Sequence, residues 1–126
     1  MNRSRDIDYY VYTHVKERRS FHKGFDSFTD SGDYSIWGNQ IADINYNERR
    51  ITFCKCGYDT DTTKRRLNDI ADAVIGGNAV YFQIVKKVLV MRDADADTDE
   101  ILDTGKVYPV VGLDDETWFI QFRERW

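Results

Sequence analysis

The fold is decided by residues 56–77, which read CGYDTDTTKRRLNDIADAVIGG. Apolar residues recur in this stretch at intervals of three and four, which places them on one face of an α-helix. The residues on that face are Leu67, Ile70, Ala71 and Val74. Asp61 or Thr62 can cap the first turn of the helix, and Gly76–Gly77 can end it. We therefore predict an amphipathic helix over about residues 62–75.

The segments on both sides of this helix are rich in aromatic and β-branched residues, which is typical of strands. Before the helix, residues 34–47 and 49–56 predict an antiparallel hairpin that turns at Asn47–Glu48, with Gly38 marking a kink or bulge in its first arm. After the helix, residues 78–91 predict one long strand or a hairpin that turns near Val85–Lys86. The flanks therefore predict a largely antiparallel sheet.

The N-terminal third is less regular. Residues 8–15, DYYVYTHV, have the composition of a strand. Residues 16–33 predict either a short helix that ends at Gly24 or an ordered loop that inserts its phenylalanines into the core, and Gly24 and Gly32 favour the loop. The phenylalanines of this segment are Phe21, Phe25 and Phe28.

Together these elements predict an α+β fold, in which one main amphipathic helix packs on a mostly antiparallel sheet. Residues 107–126 predict a C-terminal β-hairpin that turns at Asp114–Asp115. We expect a single domain over residues 1–126, with a core at 8–91 and an appended acidic loop and hairpin at 92–126.

The composition limits the class of protein. The chain has 126 residues, of which 41% are hydrophobic, enough for a folded core. Its formal charge of −4 is unevenly spread: residues 1–66 hold 12 Lys and Arg against 10 Asp and Glu, and residues 67–126 hold 6 against 12. The acidic half predicts either an electropositive partner or a solvated surface. No apolar run has the length of a membrane span and no signal-peptide core is present, so we expect no membrane partner and a location in the host cytoplasm.

Groups that carry chemistry are sparse. Cys54 and Cys56 lie two apart in ITFCKC, and because side chains at i and i+2 of a strand do not converge, we expect buried or half-buried thiols in a reducing compartment rather than a disulfide. A zinc site would need further soft ligands, so we expect no metal and no cofactor. No nucleophile elbow, phosphate-binding loop or zinc-protease motif is present. We therefore expect a protein that is not an enzyme.

The middle of the chain resembles a small domain of phage and viral proteins. The likeness is carried by YSIWGNQIADI, ITFCKCGYDTDTTKRRLND and AVYFQIVKKVLV, over about residues 34–90. The string TTKRRLN is its most distinctive part. Separately, DTGKVYPVVGLDDETWFI resembles the hairpin of small SH3-like barrels in phage proteins. The resemblance implies a phage-encoded accessory protein and implies no activity.

Three consecutive cations in the first turn of the main helix form the clearest candidate site. Helix N-termini attract anions, and threonine hydroxyls, cations and a stacking ring can together hold a phosphate and a base. The candidate residues for an anion or nucleic acid are Tyr58, Thr62, Thr63, Lys64, Arg65 and Arg66. The alternative is that nearby carboxylates neutralise these cations, with Arg65 pairing with Asp69 and the others facing Asp59 and Asp61.

A second set of candidates suits a protein partner, because tryptophans often dominate interfaces and acidic loops can mimic nucleic acid. It consists of Trp37, Asp93, Asp95, Asp97, Asp99, Glu100, Trp118 and Trp126. The acidic loop does not fit the calcium-binding pattern, since Thr98 and Thr104 occupy the positions that need glycine and glutamate.

These observations favour a non-enzymatic phage accessory protein that binds, and thereby inhibits or modulates, a host machine or defence complex. Its expected partner is a host protein or protein–nucleic acid complex. Two alternatives remain: a nucleic-acid-binding module that uses the basic helix start, and a minor virion component that forms a homo-oligomer through its C-terminal hairpin.

Overall fold

A computed structural model describes residues 3–76, 80–93, 107–112 and 117–122. The architecture is α+β, as predicted, and contains two helices and two sheets in the described ranges. The helices are α1 (Arg3–Lys16) and α2 (Asp61–Val74). The strands are β1 (Phe21–Lys23), β2 (Asp26–Phe28), β3 (Asp33–Ile36), β4 (Asn39–Asn45), β5 (Arg50–Cys54), β6 (Val80–Val85), β7 (Val88–Asp93), β8 (Val107–Gly112) and β9 (Thr117–Phe122).

The larger sheet has seven strands in the order β1-β2-β3-β4-β5-β9-β8, and each neighbouring pair is antiparallel. The first five strands follow the chain, so this part is a meander. The C-terminal hairpin β8–β9 joins the same sheet, because β9 pairs with β5 with Ile51 opposite Ile120. Both residues are fully buried. The predicted turn at Asp114–Asp115 lies outside the described residues.

Helix α2 confirms the central prediction. Its apolar face is buried and packs against β6 and β4, with Leu67 and Ile70 fully enclosed. The N-cap is Thr60, one residue before the predicted candidates, because its extended backbone lets its hydroxyl accept from the Thr63 N–H at 3.2 Å. The helix ends before Gly76, as expected.

Residues 80–93 form the hairpin β6–β7, one of the two predicted arrangements, with Val85 opposite Val88 across the turn. Asn68 on α2 fixes this hairpin to the helix. Its side-chain amide donates to the Phe82 carbonyl at 3.1 Å, and its oxygen accepts from the Phe82 N–H at 2.7 Å. The asparagine of TTKRRLN therefore holds α2 to β6.

The prediction of a strand at residues 8–15 is wrong, since this segment belongs to helix α1. Ile7, Val11 and Val15 recur every four residues, and Val11 and Val15 are buried where α1 packs against α2. The β-rich composition masked that spacing. Burial of an apolar helix face outweighs intrinsic strand propensity, which amounts to about 1 kcal/mol or less per residue. No helix among the described residues is long and apolar enough to cross a membrane.

The preference for a loop at residues 16–33 is also wrong, because this segment forms β1, β2 and the start of β3. Phe21 and Phe28 pack into the core, whereas Phe25 is exposed. Gly32 is required because the backbone of Ile44 on β4 passes close to it, and not because it lies in a loop. A Cβ at this position would lie 2.1 Å from the Ile44 carbonyl oxygen.

The first arm of the predicted hairpin is two strands rather than one. Gly38 does not mark a kink but belongs to a two-residue turn between β3 and β4, with Ile36 opposite Asn39. The irregularity of this pair lies elsewhere, where the register shifts between Tyr34 and Ser35. The turn at Asn47–Glu48 joins β4 to β5 as predicted.

Candidate binding surface

Three aromatic side chains lie next to one another on the surface, and we call them the aromatic row: Phe25, Trp37 and Tyr58. Their exposed fractions are 67%, 49% and 41%. The ring centroids of Phe25 and Trp37 are 5.6 Å apart, and those of Trp37 and Tyr58 are 6.1 Å apart. These distances are typical of aromatic contacts. The row is therefore one continuous apolar surface contributed by three separate chain segments.

The turns of the meander produce this arrangement. Phe25 lies in the two-residue turn between β1 and β2, and Trp37 lies in the turn between β3 and β4. Antiparallel pairing of β2 with β3 brings the two turns to the same end of the sheet. The Trp37 N–H donates to the Phe25 carbonyl at 2.9 Å and fixes their separation. Tyr58 completes the row from the loop that precedes α2.

Trp37 adopts an unfavourable backbone conformation. Its φ is +51° and that of Gly38 is +79°, so both central residues are left-handed, as a type I′ turn requires. Glycine and asparagine suit this conformation, whereas a bulky residue pays about 1 kcal/mol or more. The sequence therefore places a large exposed ring at a position where a small polar residue would be more stable.

The loop that carries Tyr58 is held in place by an ion pair between a buried lysine and a partly exposed aspartate. Lys55 is only 5% exposed, and its Nζ lies 2.6 Å from Asp59 Oδ1 and 3.1 Å from the Leu89 carbonyl. Asp59 also accepts from the Leu89 N–H at 2.7 Å. The hydrogen bond from Lys55, followed by that from Leu89, lowers the pKa of Asp59. Because the Tyr58 N–H donates to the Lys55 carbonyl at 2.9 Å, this network fixes the tyrosine backbone as well.

The three cations of the helix start do not converge on one point. Lys64 Nζ and Arg65 Nε both pair with Asp61, at 2.9 and 3.0 Å, and the hydrogen bond from Lys64 lowers the pKa of this carboxyl. The predicted Arg65 partner was Asp69, but the carboxylate it contacts is Asp61. Arg66 points into the protein. Among the threonines, Thr63 is buried beneath the Thr60 cap and Thr62 is half-buried.

Arg66 is the centre of a buried polar network between α2, α1 and the sheet. Its Nε lies 2.7 Å from Asp26 Oδ2, and the same oxygen accepts from the Tyr34 hydroxyl at 2.7 Å. Arg66 also faces Asp8 of α1 at 3.6 Å. Burial, reinforced by the neighbouring Asp26 charge, raises the pKa of Tyr34 well above its usual range. Spacing along α2 could not reveal this network, because the partners come from distant segments.

Asp69 adjoins the same network. Burial, followed by a hydrogen bond and charge repulsion from Asp8, raises the pKa of Asp69 to about 9. Asp69 Oδ2 and Asp8 Oδ1 are buried side-chain oxygens that accept no hydrogen bond from the described residues, although Arg66 Nη1 lies 3.6 Å from Asp8 Oδ1. With a pKa of about 9, Asp69 carries its proton at neutral pH, and that proton makes it a donor in this acidic corner.

The second set of candidates is dispersed. Trp37 is in the aromatic row, whereas Trp118 on β9 is half-buried with its ring against Phe82 at 5.7 Å. Asp93 is the last residue of β7. The rest of the acidic loop and the C-terminal tryptophan lie outside the described residues: Asp95, Asp97, Asp99, Glu100 and Trp126. Phe25 was predicted to enter the core but is exposed. Its position after Gly24 at a hairpin turn was the available signal in the sequence.

The family relationship rests on most of the chain. A family model described as Kyanoviridae Gp96 protein matches residues 4–108, from α1 into β8. The chain belongs to this family. Kyanoviridae are phages, so the phage origin predicted from the TTKRRLN segment is confirmed. The description of the family states no activity. Comparison with curated proteins and with solved structures gives no match.

Proposed function

We propose that this phage protein is a non-enzymatic accessory protein that acts by binding a host protein through the aromatic row. The single observation that carries the proposal is the exposure of Trp37 at a strained turn position, in contact with two further exposed rings. Strained backbone residues cluster at functional sites, and exposed contiguous apolar surface marks interaction sites. Aromatic side chains of this kind often dominate the binding energy of protein interfaces.

The rigidity of the row supports binding as its role. Phe25 and Trp37 are joined by a backbone hydrogen bond, and the Tyr58 backbone is fixed by the network around Lys55 and Asp59. A partner that docks on preorganised side chains loses less conformational entropy than one that must order a mobile loop. The row is therefore suited to an interface whose shape is set before the partner arrives.

The charges near the row favour a protein partner over nucleic acid. A platform for single-stranded nucleic acid combines stacking rings with cations that follow the phosphates. The cations that flank Tyr58 in the chain already face carboxylates: Lys55 faces Asp59, and Lys64 and Arg65 both face Asp61. A phosphate arriving there would compete with these acids. Direct binding of nucleic acid by the helix start is thus the weaker alternative.

The proposal is tested by capture from host lysate with a tagged full-length chain, followed by mass spectrometry. We expect the wild-type chain to capture a host protein whether or not the lysate is treated with nuclease. The Phe25→Ala/Trp37→Ala double variant is expected to lose it. Tyr9→Ala is the matched control, because Tyr9 is 70% exposed on α1 and is expected to leave capture unchanged.

Two results would overturn the proposal. Retention of the captured protein by the double variant would show that the row is not the contact surface. Loss of capture after nuclease treatment, together with a mobility shift of single-stranded DNA or RNA that weakens steeply with salt, would assign the chain to nucleic-acid binding instead. In that case the Arg65→Glu variant would also weaken the shift.

A further inference from the structure

The two cysteines of ITFCKC lie unexpectedly close together. The Sγ atoms of Cys54 and Cys56 are 3.5 Å apart, and neither is in a disulfide. The expectation that their side chains would not converge is therefore wrong, whereas the expectation of half-buried thiols is confirmed. The reason is that β5 ends at Cys54. Cys56 has left the strand and adopts a left-handed backbone with φ of +54°, which turns its side chain back toward Cys54.

Contacts on both sides hold this geometry. The Cys56 N–H donates to Cys54 Sγ at 3.3 Å, and the Cys56 thiol lies 3.2 Å from the Gln40 carbonyl of β4. Between the two cysteines, the Lys55 side chain is anchored in the interior by Asp59 and the Leu89 carbonyl. The left-handed conformation costs a residue with a side chain about 1 kcal/mol or more. The fold thus keeps the two sulfurs close together despite the conformational energy that the left-handed Cys56 backbone costs.

We propose that Cys54 and Cys56 form a redox-active dithiol, which closes to an intramolecular disulfide by exchange with a low-molecular-weight disulfide such as oxidised glutathione. A disulfide bond is about 2.05 Å long, so closure needs the sulfurs to approach by roughly 1.5 Å. Rotation of two half-buried side chains supplies a movement of that size. This inference is independent of the proposed binding function.

The exchange balances in two steps. The Cys54 thiolate attacks one sulfur of oxidised glutathione, forms a mixed disulfide and releases one glutathione thiolate. The Cys56 thiolate then attacks Cys54 Sγ, breaks the mixed disulfide and releases the second glutathione thiolate. The protein sulfurs lose two electrons, glutathione gains them, and the two cysteine protons pass through solvent to the two glutathione molecules.

The order of attack follows from the contacts. Cys54 Sγ accepts a hydrogen bond from the Cys56 N–H, whereas the Cys56 thiol has the Gln40 carbonyl 3.2 Å away as an acceptor for its own proton. Cys56 is then adjacent to the sulfur that carries the mixed disulfide. This places Cys54 as the attacking thiol and Cys56 as the resolving thiol.

The test is a redox titration of the purified full-length chain in glutathione buffers. Samples are quenched with acid, the remaining thiols are alkylated, and intact masses are measured. We expect the wild-type chain to lose the mass of two hydrogen atoms and to carry no glutathione. Cys54→Ser and Cys56→Ser are each expected to accumulate one bound glutathione.

The decisive comparison uses the wild-type chain alone and so does not depend on how the variants fold. The equilibrium constant for disulfide formation is measured for the native chain and for the same chain unfolded in urea. Because the native fold holds the sulfurs together, we expect its constant to be at least about tenfold larger. A native constant equal to or below the unfolded one would overturn the proposal. So would native protein that carries mainly mixed glutathione adducts across the whole titration.

Discussion

Arg66 and Asp26 lie 40 residues apart in the sequence and form the shortest ion pair of the buried network, with Arg66 Nε 2.7 Å from Asp26 Oδ2. Both side chains are close to fully buried. Asp26 also accepts a hydrogen bond from the Tyr34 hydroxyl, so one carboxylate links helix α2 to β2 and β3. One of the three cations that the sequence offered to an anionic ligand is therefore occupied within the fold.

Arg65 is half-exposed and Arg66 is buried, although the two are neighbours in the chain. Substituting each in turn separates the contribution of a surface ion pair from that of the buried network. Arg66→Ala leaves Asp26 buried without its charge partner and is expected to lower the free energy of unfolding by about 3 to 5 kcal/mol. Arg65→Ala removes a half-exposed pair with Asp61 and is expected to cost less than about 0.5 kcal/mol. Urea denaturation of both variants checks this. Similar losses at the two positions would contradict the burial of Arg66 in the network.

Asp69 predicts an unusual pH dependence of stability. Its pKa is about 9 in the fold against 3.8 as the ordinary value, so between these pH values the native state binds a proton that the unfolded state lacks. Stability is then fully present below pH 3.8 and falls as the pH rises toward about 9. Asp69→Asn keeps a donor for Asp8 without titrating. We expect this variant to unfold at a higher temperature than wild type at pH 8, with a smaller gain at pH 5. A gain that does not depend on pH would contradict the raised pKa of Asp69.

Asp59 is expected to control both stability and the position of Tyr58. Asp59→Ala leaves the buried Lys55 ammonium with the Leu89 carbonyl as its one remaining acceptor among the described residues, which should cost about 2 kcal/mol or more. Asp61→Ala, two residues away, removes only half-exposed pairs from Lys64 and Arg65 and serves as the control. Thermal unfolding and partner binding are measured for both. Equal behaviour of the two variants would argue against the Lys55 anchor.

Trp37 is expected to contribute to partner binding while its strained backbone lowers the stability of the fold. Trp37→Asn creates an Asn-Gly turn, the preferred pair for a type I′ turn, and relieves about 1 kcal/mol of backbone strain. The lost contacts with Phe25 and Tyr58 are solvent-exposed and offset no more than about that amount. We therefore expect the unfolding temperature of this variant to equal or exceed that of wild type. A marked decrease would show that the ring stabilises the fold and would remove the strain argument.

The sequence predicted those elements whose signal is local. Helix α2 followed from apolar spacing and the hairpin β4–β5 from turn chemistry. Helix α1 was missed because three burial positions, Ile7, Val11 and Val15, were hidden among tyrosines and threonine with strand propensity. Whether this segment forms a helix or a strand is decided by its packing against α2, which the sequence alone does not show.

The candidate surface was predictable only in part. Trp37 was predicted to belong to a protein interface, and Tyr58 was predicted to stack on a base of a nucleic acid. The contact between Phe25 and Trp37 depends on the pairing of β2 with β3, which brings their two separate turns together. The inward orientation of Arg66 depends on Asp26 and Asp8, both distant in sequence. Long-range register, rather than composition, determined which charges and rings face the solvent.

Binding through the aromatic row is tested by the dissociation constant of the captured host protein, measured by calorimetry with the purified wild-type chain, Trp37→Asn and Tyr9→Ala. We expect Trp37→Asn to weaken binding by more than about thirtyfold, which corresponds to a hot-spot loss of about 2 kcal/mol, while its unfolding temperature is maintained. Tyr9→Ala should bind as wild type. Unchanged affinity of a folded Trp37→Asn chain would contradict the claim that the aromatic row is the binding surface.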